Sequence, residues 1–533
     1  MLFAPHALAQ SRDDGFLAAL GELREASFSD KEQIVERLSQ SGHASTRSVL
    51  TAYLEDRIYF RAYDQRIFIV KSTDDVLASL ELVDPVSLRD AGSAAREDLT
   101  KIGTNNRLRK LLRTTVARFD LSSPNPAVKL AAVQQMLRDL DQASIALLRE
   151  RVGVETDALV KDEIETALAL AALDSGDPPA RLHAVATLAR RLRQQTRNRL
   201  AGVLEKTADG NFAEPDENVR QAAAAAVRRI DRSRAFYARI ETLFFGLSVG
   251  SVLVLVAIGL AVTFGVMGVI NMAHGELMML GAYTTYVVQL AMPNHIGVSI
   301  IVAIPAAFLV AGLAGVIIER TIIRFLYGRP LETLLATFGV SLVLQQSVRS
   351  LFSANNRSVE TPDWMSGTLQ LNDALAITLN RLYIVIFTLI VFAILLVVLK
   401  RTRLGLYIRA VSQNRPMAQA MGIRTDWVDA MTFGLGSGIA GIAGVALSQF
   451  TNVGPNLGQA YIIDSFMVVV FGGVGNLWGT LVGGMSMGVV NQLLEPYAGA
   501  VLAKIFVLVA LILFIQRWPR GLFPQAGRAA ESQ

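Results

Sequence analysis

The chain has no cysteine, which excludes disulfides, thiolate nucleophiles and Cys-ligated zinc. It suits an extracytoplasmic compartment as well as a cytoplasmic one. No GxxxxGK[ST] phosphate loop occurs either, so ATP is not bound in that way. Charge is sparse from Glu241 onward, where 16 Lys or Arg and 12 Asp or Glu are spread through a largely apolar sequence. The first 240 residues instead hold 35 basic and 34 acidic residues. The sequence pI of about 9.4 therefore reflects basic loops between apolar segments, as the positive-inside rule produces, and not nucleic-acid binding. No run of Asp, Glu and His crosses the apolar region, which leaves proton-driven transport little to work with. No nucleophile–base pair or metal cluster stands out, and nothing calls for a cofactor or an enzymatic role.

Before about residue 240 the sequence reads as a soluble helical domain. LFAPHALAQ, with small residues at Ala7 and Ala9, ends like a signal-peptide cleavage region, so residues 1–10 are expected to be a signal remnant or disordered. Phe16 to Leu54 suggests two amphipathic helices, with Leu17, Leu20 and Leu23 on one face. Ile58, Phe60, Ile67 and Ile69 alternate around Tyr63-Asp64-Gln65, which predicts a small β-hairpin. Three related segments follow: SPNPAVKLAAVQQML, SGDPPARLHAVATLA and AEPDENVRQAAAAAV. Aligned at Val128, Ala180 and Val219, they lie 52 and 39 residues apart. This is the pattern of HEAT-like helical hairpins, so residues 11–235 are expected to be one helical domain. The clusters Arg190-Arg191-Arg193 and Arg228-Arg229 read as solvated helix faces.

The rest is expected to be a polytopic all-α membrane domain, 240–525. Apolar segments fall at 243–263, 276–292, 297–318, 332–351, 382–399, 427–447, 462–474, 478–494 and 499–517, most near the 20 residues a span needs. The 462–474 segment is short enough to be re-entrant. About eight or nine crossings are expected; with nine, Arg320, Arg324 and Arg329, the run from Lys400 to Arg415, and Arg517 and Arg520 all share one side, the cytoplasm. The N-terminal domain then lies outside. Gly434, Gly438, Gly441 and Gly444 form a stripe that lets helices approach closely.

Within this apolar half, GVMGVINMAHGELMMLGAY (Gly265 to Tyr283) concentrates Asn271, His274 and Glu276 among glycines. An ionisable side chain at membrane depth is costly unless it serves a site, and a glycine-broken helix carrying polar groups suits a substrate pathway. Gln345 and Asn476 are further pathway candidates.

Lys400 to Asp426, KRTRLGLYIRAVSQNRPMAQAMGIRTD, is basic and amphipathic. It resembles the coupling loop of ABC importer permeases, through Gly405, Arg409-Ala410, Gln413-Asn414 and Gly422-Ile423. INMAHGELMMLGAY, ETLLATFGVSLVLQ, DSFMVVVFGGVGNLWGTLVGG and RWPRGLFP resemble the branched-chain amino-acid permease family over essentially all of 240–525. The resemblance implies that Gly405, Arg409, Asn414 and Gly422 couple the chain to a separate ATPase. It further implies a sister permease, two ATP-binding subunits and a periplasmic substrate-binding protein in the inner membrane. The large N-terminal extension resembles the urea-type members. The expected cargo is urea, with branched-chain amino acids or short amides as the alternative. A membrane receptor with an outer ligand-sensing domain is the different class, and would require a cytoplasmic output domain.

Overall fold

The computed structural model describes residues 15–72, 79–138, 140–206 and 211–523; Ala7 and Ala9 lie outside the described residues. The chain forms two compact units, Met1–Asp231 and Arg232–Gln533.

The first unit opens with three short helices where two were expected: 15–22, Phe28–Gln40 and Thr46–Leu54. Ser27 caps the second through the Asp30 backbone N–H. Phe16, Leu20 and Leu23 are buried and Leu17 is exposed, so the apolar face starts one residue earlier than expected. The hairpin forms with Ile58 opposite Ile69 and Phe60 opposite Ile67. It belongs, however, to a five-stranded antiparallel sheet ordered Asp90–Ala95, Ser79–Val83, Ile67–Val70, Ile58–Arg61, Leu99–Lys101. The outer strands left little trace in the sequence: one is DAGSAA, without a β-branched or aromatic residue, and the other has three residues.

Each of the three related segments opens a helix, at Pro126–Met136, Pro178–Leu188 and Glu217–Met267. Asn125 and Asp177 cap the first two, with proline in the first turn. The basic residue of each turn has a defined job. Lys129 Nζ lies 2.9 Å from Glu155 Oε1, and Arg181 forms a two-pronged pair with Glu214 at 2.8 and 2.7 Å. Glu155 and Glu214 each begin an E-x-D turn whose Asp accepts backbone N–H groups at the start of the next helix. All four paired side chains are buried, so charge pairing joins successive helices beside the apolar core that runs through them from Ala117 to Ile230.

In the second unit, six helices among the described residues are long and apolar enough to cross a membrane. They are Glu217–Met267, Ile296–Thr321, Pro330–Phe352, Leu379–Arg401, Thr425–Ser448 and Leu477–Arg517. Leu457–Gly472 is apolar but has only 16 residues, and His274–Ala291 has 18. The 41-residue Leu477–Arg517 run is interrupted at Gly499, whose φ of 76° is not helical. Thr425–Ser448 and the apolar end of Glu217–Met267 form the buried interior. Glycine makes this possible: a Cβ on Gly281 would run into the Gly441 backbone, and one on Gly441 into Ala307 O. The backbones of His274–Ala291, Ile296–Thr321 and Thr425–Ser448 therefore touch with almost no side chain between them. Lys504 pairs with Asp464 at 2.9 Å.

Two outcomes follow from this packing. Burial alone would raise the Glu155 carboxyl, but the Asp157 backbone N–H, Lys129 and Arg151 hold it down to about 2. Because this carboxyl's folded value lies below its ordinary one, its stabilisation is complete near neutral pH and lost as pH falls from the ordinary carboxylate range toward about 2. Glu155→Gln leaves Lys129 buried and unpaired, which costs about 3–5 kcal/mol. Hydrogen exchange in 126–172 should accelerate in that variant at pH 7 and differ little from the parent near pH 2. In the second unit, Gly441→Leu should abolish a monodisperse detergent-solubilised chain, since overpacking at backbone contact exceeds the usual 1–3 kcal/mol or so. Gly339→Ala, where a Cβ meets nothing, should be tolerated in the same gel-filtration assay.

Candidate functional site

The Glu217–Met267 helix stops because Gly268 takes the left-handed conformation, φ 65°, with its N–H bonded to Phe264 O at 2.9 Å. A short non-helical stretch follows, and a new helix begins at His274. Asn271 prepares that start: its Oδ1 accepts the Ala273 N–H at 3.0 Å. The His274 Nε2 lies 3.0 Å from Val256 O, tying the new helix to the middle of the preceding one. Asn271, His274 and Glu276 are fully buried.

Free backbone groups in the break are satisfied by the neighbouring Pro330–Phe352 helix. Thr337 Oγ1 accepts the Met272 N–H at 3.1 Å. Further along that helix, Ser341 Oγ and Gln345 Nε2 donate to Glu276 Oε1 at 3.1 and 2.7 Å. Thr333, Thr337, Ser341 and Gln345 recur every fourth residue and are all buried, so one polar seam faces the break from an otherwise apolar helix. The structure thus brings Gln345 to Glu276. Thr337 and Ser341 were missed in the sequence, although the four-residue spacing of hydroxyls on ETLLATFGVSLVLQ carries the signal. Glu276 Oε2, His274 Nδ1 and Asn271 Nδ2 have no partner among the described residues. Among the described residues no Lys or Arg side chain reaches hydrogen-bonding distance of Glu276; both of its donors are neutral.

Asn476 does not join this seam. Its Oδ1 caps the last long helix through Trp478 and Gly479 N–H, and its Nδ2 donates to Phe523 O at 3.2 Å. It lines, with Gly265, Lys400, Arg409 and Ser412, a groove of about 340 Å³.

The Lys400–Asp426 loop is two short helices, Arg403–Gln413 and Arg415–Ala420, hinged at Asn414. All four residues expected to couple have a task in shaping it. Gly405 lies so close to Leu399 O that a Cβ would clash. The Arg409 guanidinium donates to the same carbonyl, closing the turn after the preceding long helix. Asn414 Oδ1 caps the second short helix through Met417 N–H at 3.0 Å, and Gly422 ends it at φ 84°. Leu406, Met417 and Met421 are exposed on the loop, among exposed polar residues that include Arg403, Arg409 and Gln413. Its link to the interior is Arg415, which pairs with buried Asp429 on Thr425–Ser448, donates to Tyr327 Oη at 2.7 Å and stacks on that ring at 4.1 Å.

Residues 242–516 match the family described as branched-chain amino acid transport system / permease component. The chain is 31% identical over 301 residues to the high-affinity branched-chain amino acid transport system permease protein LivH of Salmonella typhimurium, covering 54% of this chain and 97% of that one. It is 30% identical over 295 residues to BraD of Pseudomonas aeruginosa, a protein of the same description, covering 54% and 96%. The ribose import permease protein RbsC of Escherichia coli is 24% identical over 300 residues, 51% of this chain and 85% of that one. No solved structure matches. A broken helix carrying a buried polar seam and a family match over the whole apolar half agree in kind: the chain is not an enzyme, and it belongs to the branched-chain amino acid transport permease family.

Proposed function

We propose that this chain is the permease subunit of an ATP-driven importer that moves urea across the bacterial inner membrane. It would work with a sister permease, two ATP-binding subunits that hydrolyse ATP in its place, and a periplasmic substrate-binding protein. The observation that carries the reading is the seam at Glu276, where the buried groups are hydroxyls, amides and one carboxylate held by neutral donors. Such a lining suits a small uncharged solute that exchanges hydrogen bonds; a zwitterion would leave at least one charge without a partner. The large unit ahead of the permease core supports the urea assignment, and the basic loops support its placement on the periplasmic side.

Mechanistically, the exposed Leu406, Met417 and Met421, with the polar residues around them, would seat on the ATP-binding subunit. Closure of that subunit would move the paired short helices as a body, because Arg409 and Asn414 fix their shape. Arg415 would pass the movement to Asp429 and the Thr425–Ser448 helix. Backbone contact at Gly441 and Gly281 would pass it on to the helix that bears Glu276. Tightly packed helices shift as rigid bodies between discrete arrangements, which gives alternating access.

A second reading has its own support: LivH and BraD are described as branched-chain amino acid permeases. Uptake of labelled urea and labelled leucine in cells expressing the complete operon, with and without this gene, separates the two. Loss of urea uptake alone is expected. Loss of leucine uptake alone would keep the permease and replace its cargo, and unchanged uptake of both would overturn the proposal.

A further inference from the structure

The head of the Glu217–Met267 helix carries an exposed stripe that the transport site does not use. Arg232, Phe236, Arg239, Leu243 and Leu247 are spaced four, three, four and four residues apart, which places them on one helix face. All five are exposed, Phe236 at 59% and Leu243 at 43%. The nearby acid Glu241 falls on the opposite side of the helix, and no ion pair or hydrogen bond engages the Arg232 or Arg239 guanidinium among the described residues. A stripe that serves only water would not continue into exposed leucines along the same line.

The order along the stripe is that of a helix passing from headgroups into hydrocarbon. Leu243 begins the apolar run. Arg239 stands four residues before it, about 6 Å along the axis, within the layer of roughly 5–8 Å that headgroups occupy on each side. Side chains on a helix tilt toward its N-terminus, so the Arg239 guanidinium leans out of the hydrocarbon toward the phosphates. Phe236 lies on the same line, about one turn further out than Arg239, between the two arginines. Arg232 is about two turns further out, close enough to an anionic surface to be held by its field, which extends about 8–10 Å.

We propose that the Arg232–Phe236–Arg239 face binds the phosphate headgroups of anionic phospholipid where this helix enters the bilayer. The proposal rests on the membrane reading alone and is independent of the cargo. It is tested by purifying the assembled transporter in detergent containing equal phosphatidylglycerol and phosphatidylcholine, then counting each lipid retained per complex by mass spectrometry. Phosphatidylglycerol should be enriched in the parent and fall roughly tenfold in the Arg232→Gln/Arg239→Gln double variant. Arg190→Gln plus Arg149→Gln, the same charge change elsewhere, should leave it unchanged. In the parent, raising salt should lower the enrichment, which requires no variant to fold. Equal retention in parent and double variant, salt-independent enrichment, or an equal fall in the control pair would overturn the proposal. So would loss of a protein subunit, in place of lipid, from the double variant.

Discussion

The constraint on which the second unit depends is a carboxylate buried among helices. Among the described residues Glu276 has no cationic partner at hydrogen-bonding distance; its Oε1 is held by Ser341 and Gln345. Two hydrogen bonds from neutral donors offset only part of the cost of burying a carboxyl, and they form only while the surroundings are held still. They are held still. Gly268 and Asn271 end one helix and start the next, Thr337 satisfies the freed Met272 N–H, and His274 ties back to Val256 O. A break in a membrane helix is tolerable only when every freed backbone group finds such a partner.

The same site is also joined by packing to the exposed loop. Gly441 brings the Thr425–Ser448 helix into backbone contact with the helix of Glu276. Arg415 joins the exposed loop helices to the far end of that same Thr425–Ser448 helix. Loop and seam are therefore connected by two stiff steps, one ionic and one steric, with little soft side chain in between. This geometry explains why a permease can carry a transport pathway and leave the energy-supplying chemistry to another chain.

Much of this was legible in the sequence because it rests on residue types with few alternative uses. Glycine beside Asn, His and Glu in an apolar run marked the broken helix, whereas Gly405, Asn414 and Gly422, singled out by resemblance for coupling, shape the loop. The hairpin at Ile58–Val70 followed from strict alternation. What escaped notice depended on partners distant in sequence. Thr337 and Ser341 look like ordinary helix residues until Met272 and Glu276 face them, and Arg415 is one of several arginines until Asp429 lies opposite. Asn476, judged by polarity alone, proved to cap a helix. The pairing of Lys504 with Asp464, 40 residues away, left no mark in the sequence. Strands at Ser79–Val83, Asp90–Ala95 and Leu99–Lys101 are held by neighbouring strands more than by their own propensity.

The central claim is that the Glu276 seam forms the pathway and is more than a brace. The most direct measurement is substrate uptake and ATP hydrolysis by the reconstituted transporter carrying Glu276→Gln, Gln345→Leu, or both. Each single change should lower uptake about tenfold or more, in line with loss of one hydrogen bond to a charged group, and ATP hydrolysis should persist. The double variant should be little worse than either single one, since Glu276→Gln weakens and Gln345→Leu removes the same contact. Unchanged uptake with Glu276→Gln would contradict the account.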